Sequence, residues 1–303
     1  MDALDHREAR ILKLTDFIES NLAEGITLQG MAEAACYSPF HLDRVFGDIV
    51  GLTPMDYVRQ RRLLCAGLRV RHEKTGLLQL ANEVGFGSNA SFSRAFRQFF
   101  GFSPRDWRHG AWRDYLRQSG ARWDAMVARE PEIWYRHARQ WQGQAEANRH
   151  DVGDRVQLRC LRGTATWATR SFGLPEGIYA LMQRNNATIA ELNRLGLADA
   201  ASQWVYVWWT DNGFVAPGQF ITELCLVANG SPPPGMVART LPGGWYACLD
   251  FGEQKMLSAW IYEDWLEKQT AWIADATRPI MTMMRMDNGV QTSGSYLIPV
   301  RRS

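Results

Sequence analysis

The sequence predicts a multidomain protein, with an all-α amino-terminal domain that carries two helix-turn-helix units and an α+β carboxy-terminal domain. Three observations predict this fold class. The 303 residues exceed the length of one typical domain. Residues 38–57 recur, with matching chemistry, as residues 88–107. Beyond residue 152, stretches that alternate apolar and polar residues flank two segments with helical spacing.

The composition excludes several classes of protein. With 46% hydrophobic and 22% charged residues, the chain is typical of a globular protein with full cores. Apolar runs stay shorter than the roughly 18–20 residues that cross a bilayer, and the acidic start lacks the features of a signal peptide. Five scattered cysteines predict reduced thiols rather than disulfides or a metal site. We therefore expect a cytoplasmic protein without a cofactor or a membrane partner.

The charge is unevenly divided along the chain. Residues 36–117 hold 13 Lys and Arg against 7 Asp and Glu, whereas residues 119–303 hold 18 of each sign. A basic segment joined to a neutral remainder favours one module for a polyanion and another for a different ligand. On charge alone, a solvated basic surface explains the segment equally well.

The internal repeat predicts how the helices begin and end. Residues 51–57 (Gly-Leu-Thr-Pro-Met-Asp-Tyr) align with residues 101–107 (Gly-Phe-Ser-Pro-Arg-Asp-Trp). In each copy the Gly is expected to end one helix, the Thr or Ser to cap the next, the Pro to occupy its first position and the Asp to face the free amides.

Each copy follows a short amphipathic segment and a tight turn, which together predict helix-turn-helix units over about residues 27–50 and 77–100. In the second helix of each unit the predicted core residues are Leu42, Val45, Phe46 and Ile49, and Phe92, Ala95, Phe96 and Phe99. The opposite faces carry Phe40, Asp43, Arg44 and Gly47, and Ala90, Ser93, Arg94 and Arg97. Their short, hydrogen-bonding character suits a major groove, and a face that merely contacts water is the alternative.

Residues 6–110 resemble the DNA-binding domain of the AraC/XylS transcription regulators, most closely in the motif of residues 85–97. The order of the two domains resembles the Rob-like members. The resemblance implies that the two outer faces enter successive major-groove segments of bent promoter DNA, joined by a connecting helix over about residues 54–71, and that RNA polymerase is a partner. The expected DNA-binding residues are Ser38, Phe40, His41, Asp43, Arg44, Arg61, Arg62, Asn89, Ala90, Ser93, Arg94 and Arg97.

Two groups within that set have distinct expected roles. Arg61 and Arg62 lie on the connecting helix, where contact with phosphate is expected. Asp43 replaces the Gln that related regulators commonly carry, and its carboxylate can either accept from a cytosine amino group or repel phosphate.

Residues 111–151 are predicted to form a helical connector that contains many aromatic residues. Trp112, Tyr115 and Trp123 recur at helical spacing before a polar stretch over residues 142–154. We expect these rings to dock on a neighbouring domain of the same chain rather than on a second copy.

Residues 152–303 are predicted to form a domain built twice as strand, helix, strand, strand. The first half is expected to contain strands over residues 155–170, 204–209 and 220–227 and a helix over residues 175–195. The second half is expected to contain strands over residues 236–239, 244–251, 280–286 and 295–301 and a helix over residues 256–268.

Three motifs in the second half, residues 244–252, 260–266 and 296–301, resemble the GyrI-like effector-binding domain. The resemblance implies a module for small aromatic or amphiphilic molecules, as in multidrug sensing. Many relatives carry a Glu where this chain has Met281 or Thr282, so Glu223 is a candidate substitute or an exposed carboxylate without a role. Aromatic rings can stack on flat ligands or hold cations. The candidate ligand-binding residues are Trp204, Tyr206, Trp208, Glu223, Trp245 and Trp260.

The sequence therefore favours a DNA-binding transcription activator that senses a small molecule and is not an enzyme. One alternative is a hydrolase of an electrophilic toxin, with Glu223 or Glu253 as the base. Another is an architectural DNA-binding protein without a ligand. No histidine follows His150, so a His-based catalytic triad or zinc site is excluded from the second domain.

Overall fold

The computed structural model describes residues 6–174, 176–210, 214–252, 258–287 and 290–303. These residues fall into two compact units, which meet in sequence between Gly120 and Ala121. They are called the amino-terminal and carboxy-terminal domains below. Among the described residues, no helix has the length and apolar character needed to cross a membrane.

The amino-terminal domain is helical, as predicted. Its helices are α1 (His6–Ser20), α2 (Leu28–Ala34), α3 (Pro39–Val50), α4 (Pro54–His72), α5 (Leu77–Glu83), α6 (Asn89–Phe100) and α7 (Pro104–Asp106). A π-helical turn over Trp107–Ala111 then leads into α8 (Trp112–Val127), which extends past the end of the domain. Helices α2 and α3 form the first helix-turn-helix unit, α5 and α6 form the second, and α4 connects them.

The repeated sequence produces a repeated backbone geometry. Gly51 and Gly101 end α3 and α6 in the left-handed conformation, with φ of 78° and 79°. Thr53 Oγ1 accepts from the Asp56 amide at 3.2 Å, and the Ser103 hydroxyl accepts from the Asp106 amide at 3.1 Å. Both hydroxyls also donate to the Asp side chains, at 2.8 and 2.6 Å. The predicted helix ends and caps are therefore confirmed.

The cores of the two units differ from the prediction at one position each. The predicted residues Leu42, Val45 and Phe46, and Phe92, Ala95 and Phe96, are buried. Ile49 and Phe99 are only half-buried, and their neighbours Val50 and Phe100 are buried instead. The prediction was wrong at this position, because residues three and four positions after Phe46 or Phe96 share a helix face and the sequence pattern does not decide which of them packs into the core.

The carboxy-terminal domain contains helices and one large antiparallel sheet. Its elements are α9 (Glu132–Ala147), α10 (Val152–Arg155), β1 (Gln157–Leu161), β2 (Thr164–Phe172), α11 (Gly177–Arg194), β3 (Gln203–Trp208), β4 (Ile221–Val227), β5 (Val237–Leu241), β6 (Gly244–Phe251), β7 (Trp272–Ala274), β8 (Ile280–Asp287) and β9 (Val290–Arg302). The strand order is β1-β6-β9-β8-β3-β4-β2-β5, and β7 pairs with β9. The predicted duplication corresponds to β2-α11-β3-β4 and to β6, a helical segment, β8 and β9.

Two predicted elements of this domain need correction, and one strand was missed. Residues 155–170 are not one strand, because the chain turns at Arg162 and Gly163 and β1 and β2 pair with different strands. The helix predicted over residues 256–268 is a π-helical turn (Ile261–Trp265) and a 3-10 turn (Leu266–Lys268), and its first two residues lie outside the described residues. Strand β7 was not predicted.

The sheet curls on itself because short connections join strands from its opposite ends. Two residues link β1 to β2, and two residues link β5 to β6. The connections cross closely, since a Cβ on Gly243 would lie 2.7 Å from the Gly163 nitrogen. The inner face holds a core that includes Ala168, Cys225 and Leu297, and the outer face packs under α11 through Trp204 and Leu224.

The aromatic residues of the predicted connector pack in both domains. Trp107 and Tyr115 pack together in the amino-terminal domain, with ring centroids 5.3 Å apart. In the carboxy-terminal domain, Trp123 donates from Nε1 to the Val215 carbonyl at 3.0 Å and packs edge-on against Phe220.

Candidate nucleic-acid interface and ligand site

Helices α3 and α6 are oriented by their caps and by their buried faces. The Ser38 hydroxyl accepts from the His41 amide at 3.3 Å, and the Ser88 hydroxyl accepts from the Ser91 amide at 3.1 Å. Phe46 and Phe96, both fully buried, turn the opposite side of each helix outward. Both serines are therefore exposed at the start of a helix, with their hydroxyls engaged in capping, and Ser38 is one of the predicted DNA-binding residues.

The outer face of α3 combines apolar, acidic and basic groups. The Phe40 ring is 83% exposed, Arg44 is exposed and Asp43 is half-buried. Arg44 Nη2 lies 3.3 Å from His41 Nδ1, and the His41 ring packs edge-on against Tyr37 at 4.8 Å. An exposed aromatic ring can contact thymine methyl groups, and a carboxylate can accept from cytosine. This face is therefore chemically equipped to distinguish base pairs.

The outer face of α6 is basic. Asn89, Ala90, Arg94 and Arg97 are exposed, and the half-buried Ser93 hydroxyl donates to Asn89 Oδ1 at 3.4 Å. Arginine is the side chain best suited to bidentate contact with guanine, and asparagine suits adenine. The predicted residues of the second unit therefore lie together on one exposed surface.

Arg61 does not lie on either outer face, and the expectation of a phosphate contact was wrong. Its side chain is 7% exposed and binds Glu19 through two contacts, from Nε at 2.6 Å and from Nη2 at 2.9 Å. The Tyr57 hydroxyl donates to the same carboxylate at 2.8 Å. Burial opposes the charge of Arg61, but the charge and hydrogen bonds of Glu19 outweigh it and raise the pKa of the guanidinium. Arg61 therefore joins α4 to α1.

The Arg62 side chain also binds groups within the domain, which leaves its predicted contact with phosphate unsupported. Its guanidinium donates to three backbone carbonyls, those of Leu22, Gly85 and Glu24, at 2.7, 2.9 and 2.6 Å. The sequence pattern correctly predicts that Arg61 and Arg62 lie on the connecting helix. It does not predict their partners, because these lie 42 positions away for Arg61 and 23 to 40 positions away for Arg62.

Two of the predicted ligand-binding residues form a half-exposed patch on the outer face of the sheet. The Tyr206 and Trp208 rings lie 6.0 Å apart on β3. Trp208 Nε1 donates to Thr282 Oγ1 at 3.1 Å, and Thr282 pairs in register with Tyr206 on one side and Tyr296 on the other. Burial raises the pKa of Tyr206, and it raises that of Tyr296 to about 12. This surface, called the aromatic patch below, is therefore neutral.

The remaining predicted tryptophans do not join the aromatic patch. Trp204 and Trp260 are each 1% exposed and belong to the core. Trp245 is 44% exposed on β6, where its ring packs against Trp272 at 5.4 Å. The candidate ligand-binding residues therefore do not lie together, and Trp204 and Trp260 are core residues.

Glu223 faces away from the aromatic patch. It pairs in register with Val207, between Tyr206 and Trp208, so its side chain projects from the opposite face. The carboxylate is fully buried and binds Arg170 Nε at 2.6 Å and Arg239 Nη1 at 2.9 Å. Both guanidiniums also lie over the Trp209 ring. Glu223 therefore cannot substitute for an acid at Thr282 or serve as an accessible base, and Glu253 lies outside the described residues.

The inner face of the sheet contains a pocket that the sequence did not predict, with a volume of about 430 Å³. Its walls include Leu161, Cys248, Met283 and Leu297, and its polar lining includes Arg159, Asp250, Arg285 and Ser295. Hydrogen bonding from Arg159 lowers the pKa of Asp250, and burial raises that of Cys248 to about 11. The two-residue spacing of Cys248 and Asp250, and of Met283 and Arg285, predicts that each pair faces the same side of its strand. The sequence does not predict that the two pairs line one pocket, because this depends on the register of several strands. Within the described residues, no cluster of three or more His, Cys, Asp or Glu could hold a metal ion.

Comparison with known proteins relates the helical part of the chain to transcription regulators. A family described as "Helix-turn-helix domain" matches residues 31–110. The chain is 35% identical over 109 residues to the putative HTH-type transcriptional regulator YkgA of Escherichia coli, covering 36% of this chain and 44% of YkgA. It is 33% identical over 99 residues to the regulatory protein SoxS of the same organism, covering 33% of this chain and 92% of SoxS.

Among solved structures, a transcriptional regulator from Chromobacterium violaceum with an AraC-type DNA-binding domain is 24% identical, with a TM-score of 0.32. That match covers 34% of this chain and 91% of the solved one. The chain thus spans nearly all of SoxS but less than half of YkgA.

Proposed function

The chain belongs to the AraC family of DNA-binding transcription regulators, and from this premise we propose that α3 and α6 read two successive major-groove segments of promoter DNA. The observation that carries the proposal is the duplicated, capped helix with one buried and one exposed face. Groove-reading helices carry their specificity on such outer faces. The contacting residues are those predicted on α3 and α6, without Arg61 and Arg62.

Salt dependence of DNA binding tests this proposal directly. Contacts with phosphate release counterions, so log K should fall linearly with log salt, with a slope of about −0.9 for each phosphate contacted. We expect the full chain to bind a promoter duplex with a steep slope, and Arg97→Ala to reduce that slope. An affinity that is unchanged between low and moderate salt would contradict the proposal.

For the carboxy-terminal domain we propose a GyrI-like module that binds a small effector, in a Rob-like arrangement. The duplicated order of strands and helical segments supports this assignment, as do the motifs of residues 244–252, 260–266 and 296–301. The aromatic patch supplies flat rings with neutral hydroxyl groups. Since Glu223 is buried between two arginines, the preferred effector is a flat, neutral aromatic molecule rather than a cation.

Fluorescence quenching in the full chain separates the aromatic patch from the rest of the domain. A panel of neutral and cationic flat aromatics is titrated into the wild type, Trp208→Phe and Trp245→Phe. Quenching should be strongest for neutral compounds and should fall in Trp208→Phe, whereas Trp245→Phe serves as an exposed control. Quenching that persists in Trp208→Phe would assign the effector elsewhere, with the inner-face pocket as the next candidate.

Introducing an acid tests the role of Thr282. Thr282→Glu places a carboxylate between Tyr206 and Tyr296, the neutral pair of rings that flanks this position. The variant should shift preference toward cationic aromatics, because an apolar site makes an unpaired cation costly. An unchanged order of affinities across the panel would argue against this patch as the effector site.

We further propose that the regulator activates transcription by contacting RNA polymerase while bound to DNA. An in vitro transcription reaction with purified polymerase, a bound promoter and the full chain tests this part. Increased transcript supports activation, and a decrease would indicate repression.

A further inference from the structure

We propose that Arg62 is a positioning residue that fixes the separation of the two recognition helices α3 and α6. Through that separation it fixes the number of base pairs between the two half-sites that the protein accepts. The inference rests on the proposed reading of DNA by both helices. It assigns to one side chain a role in DNA specificity without direct contact with DNA.

The guanidinium of Arg62 connects the two helix-turn-helix units through main-chain atoms. Nε and Nη2 donate to the carbonyls of Leu22 and Glu24, at 2.7 and 2.6 Å. These residues lie in the turn that follows α1, shortly before Thr27, which caps the first helix of unit one. Nη1 donates at 2.9 Å to the carbonyl of Gly85, in the turn between α5 and α6. Arg62 therefore holds the entry of the first unit and the turn of the second.

Two other arginines on α4 each bind an element on one side of this helix only. Arg61 binds Glu19 on α1, and Arg69 binds Glu73 and Glu83, the latter on α5. Arg62 lies between them in sequence and contacts both sides at once. Its planar fork fixes the directions of its hydrogen bonds, a constraint that the flexible ammonium of lysine lacks.

The absence of a side chain at Gly85 leaves room for the Arg62 guanidinium. Its φ of 86° is in the left-handed region, and a Cβ there would lie 2.7 Å from Cζ and Nε of Arg62. Gly101 has a similar φ of 79°, but no atom lies within 4 Å of its Cβ position. An alanine at either position strains the backbone, whereas only an alanine at Gly85 collides with the guanidinium.

The separation of the helices matters because the DNA helix repeats about every 34–36 Å, or about 10–10.5 base pairs. The 19 residues of α4 span about 28 Å at 1.5 Å per residue, so the units are held apart by a rigid element. If Arg62, in the middle of α4, clamps both units to this helix, only one half-site spacing fits both recognition helices. Releasing the clamp should widen the accepted spacings without changing the bases read.

Binding-site selection from a random-sequence duplex library tests this inference with the full chain. The wild type should enrich two sequence boxes at one spacing. Arg62→Ala and Arg62→Lys should enrich the same two boxes over a wider range of spacings. For a selected duplex with one base pair inserted between the boxes, the wild type should lose about tenfold or more in affinity, the range of a lost base contact, and Arg62→Ala clearly less.

Two matched controls separate positioning from general loss of stability. Arg71→Ala removes another α4 arginine, one that packs over the Trp112 ring, and should keep the wild-type spacing. Gly85→Ala should reproduce the relaxed spacing, and Gly101→Ala should not. These variants also test the inference if Arg62→Ala does not fold.

Three results would overturn the inference. Arg62→Lys and Gly85→Ala could both keep the wild-type spacing, Arg71→Ala could relax it equally, or Gly101→Ala could relax it as much as Gly85→Ala. A wild type that enriches no pair of boxes would instead refute the proposed function on which the inference rests.

Discussion

The two helix-turn-helix units share their scaffold and differ in what they present to DNA. Ser38 and Ser88 cap the recognition helices, Gly51 and Gly101 end them, and buried phenylalanines orient them. On the outside, residues 27–50 carry three acids and one arginine, whereas residues 77–100 carry two arginines and one acid. Positions that satisfy the backbone and the core therefore match, and positions that face outward have diverged.

This difference predicts that the two units contribute differently to DNA affinity and to discrimination between bases. The first unit offers an exposed aromatic ring and an acid, groups suited to thymine methyls and cytosine. The second offers arginines, which attract phosphate and contact guanine. We expect the second unit to supply more of the affinity and the first to contribute mainly discrimination.

Removing the core ring of either unit should produce the largest effect, and the same effect in both. Phe46→Ala and Phe96→Ala each delete a fully buried ring and should each reduce the free energy of unfolding by about 3–5 kcal/mol. Urea unfolding of the full chain, followed by circular dichroism, measures both. A much larger cost at one position would show that the two scaffolds are not equivalent.

Removing the outward arginines should separate the units. Arg94→Ala should cost about 1–3 kcal/mol on a selected site and relax the preference at one base pair. Arg44→Ala should cost less, because the Arg44 guanidinium already lies 3.3 Å from His41 Nδ1. Fluorescence anisotropy on selected and random duplexes provides the comparison. Equal losses for both variants on both duplexes would argue against a division of labour.

Neutralising Asp43 in the first unit should have the smallest effect on DNA affinity, and it should strengthen binding where the arginine substitutions weaken it. Asp43→Asn removes a negative charge close to the DNA, and should strengthen binding to random duplex by about 0.5–1 kcal/mol at low salt. The gain should shrink as salt rises, because exposed charges are screened. Asp48→Asn, at the far end of the same helix, is the matched control. Weaker binding to random duplex by Asp43→Asn would contradict the expected repulsion of phosphate.

How much the sequence predicts depends on the range of the interactions involved. Caps, left-handed glycines and the outward residues of α3 and α6 depend on neighbours within four positions, and these were predicted. The burial of Arg61 depends on Glu19, 42 residues away, so its role was predicted wrongly. Glu223 was misplaced because its surroundings depend on partners in β2 and β5. The inner-face pocket needed the register of several strands, which periodicity alone does not supply.

Under the proposed function, two chemically different faces of one chain read two adjacent segments of DNA. Binding-site selection from random duplexes with the wild type, Asp43→Asn and Arg94→Ala separates the contributions of the two faces. Each variant should lose or change sequence preference in only one half of the selected site. The two affected halves should lie about 10–10.5 base pairs apart, one turn of the double helix. Changes at the same base pairs in both variants, or at none, would contradict the proposed function.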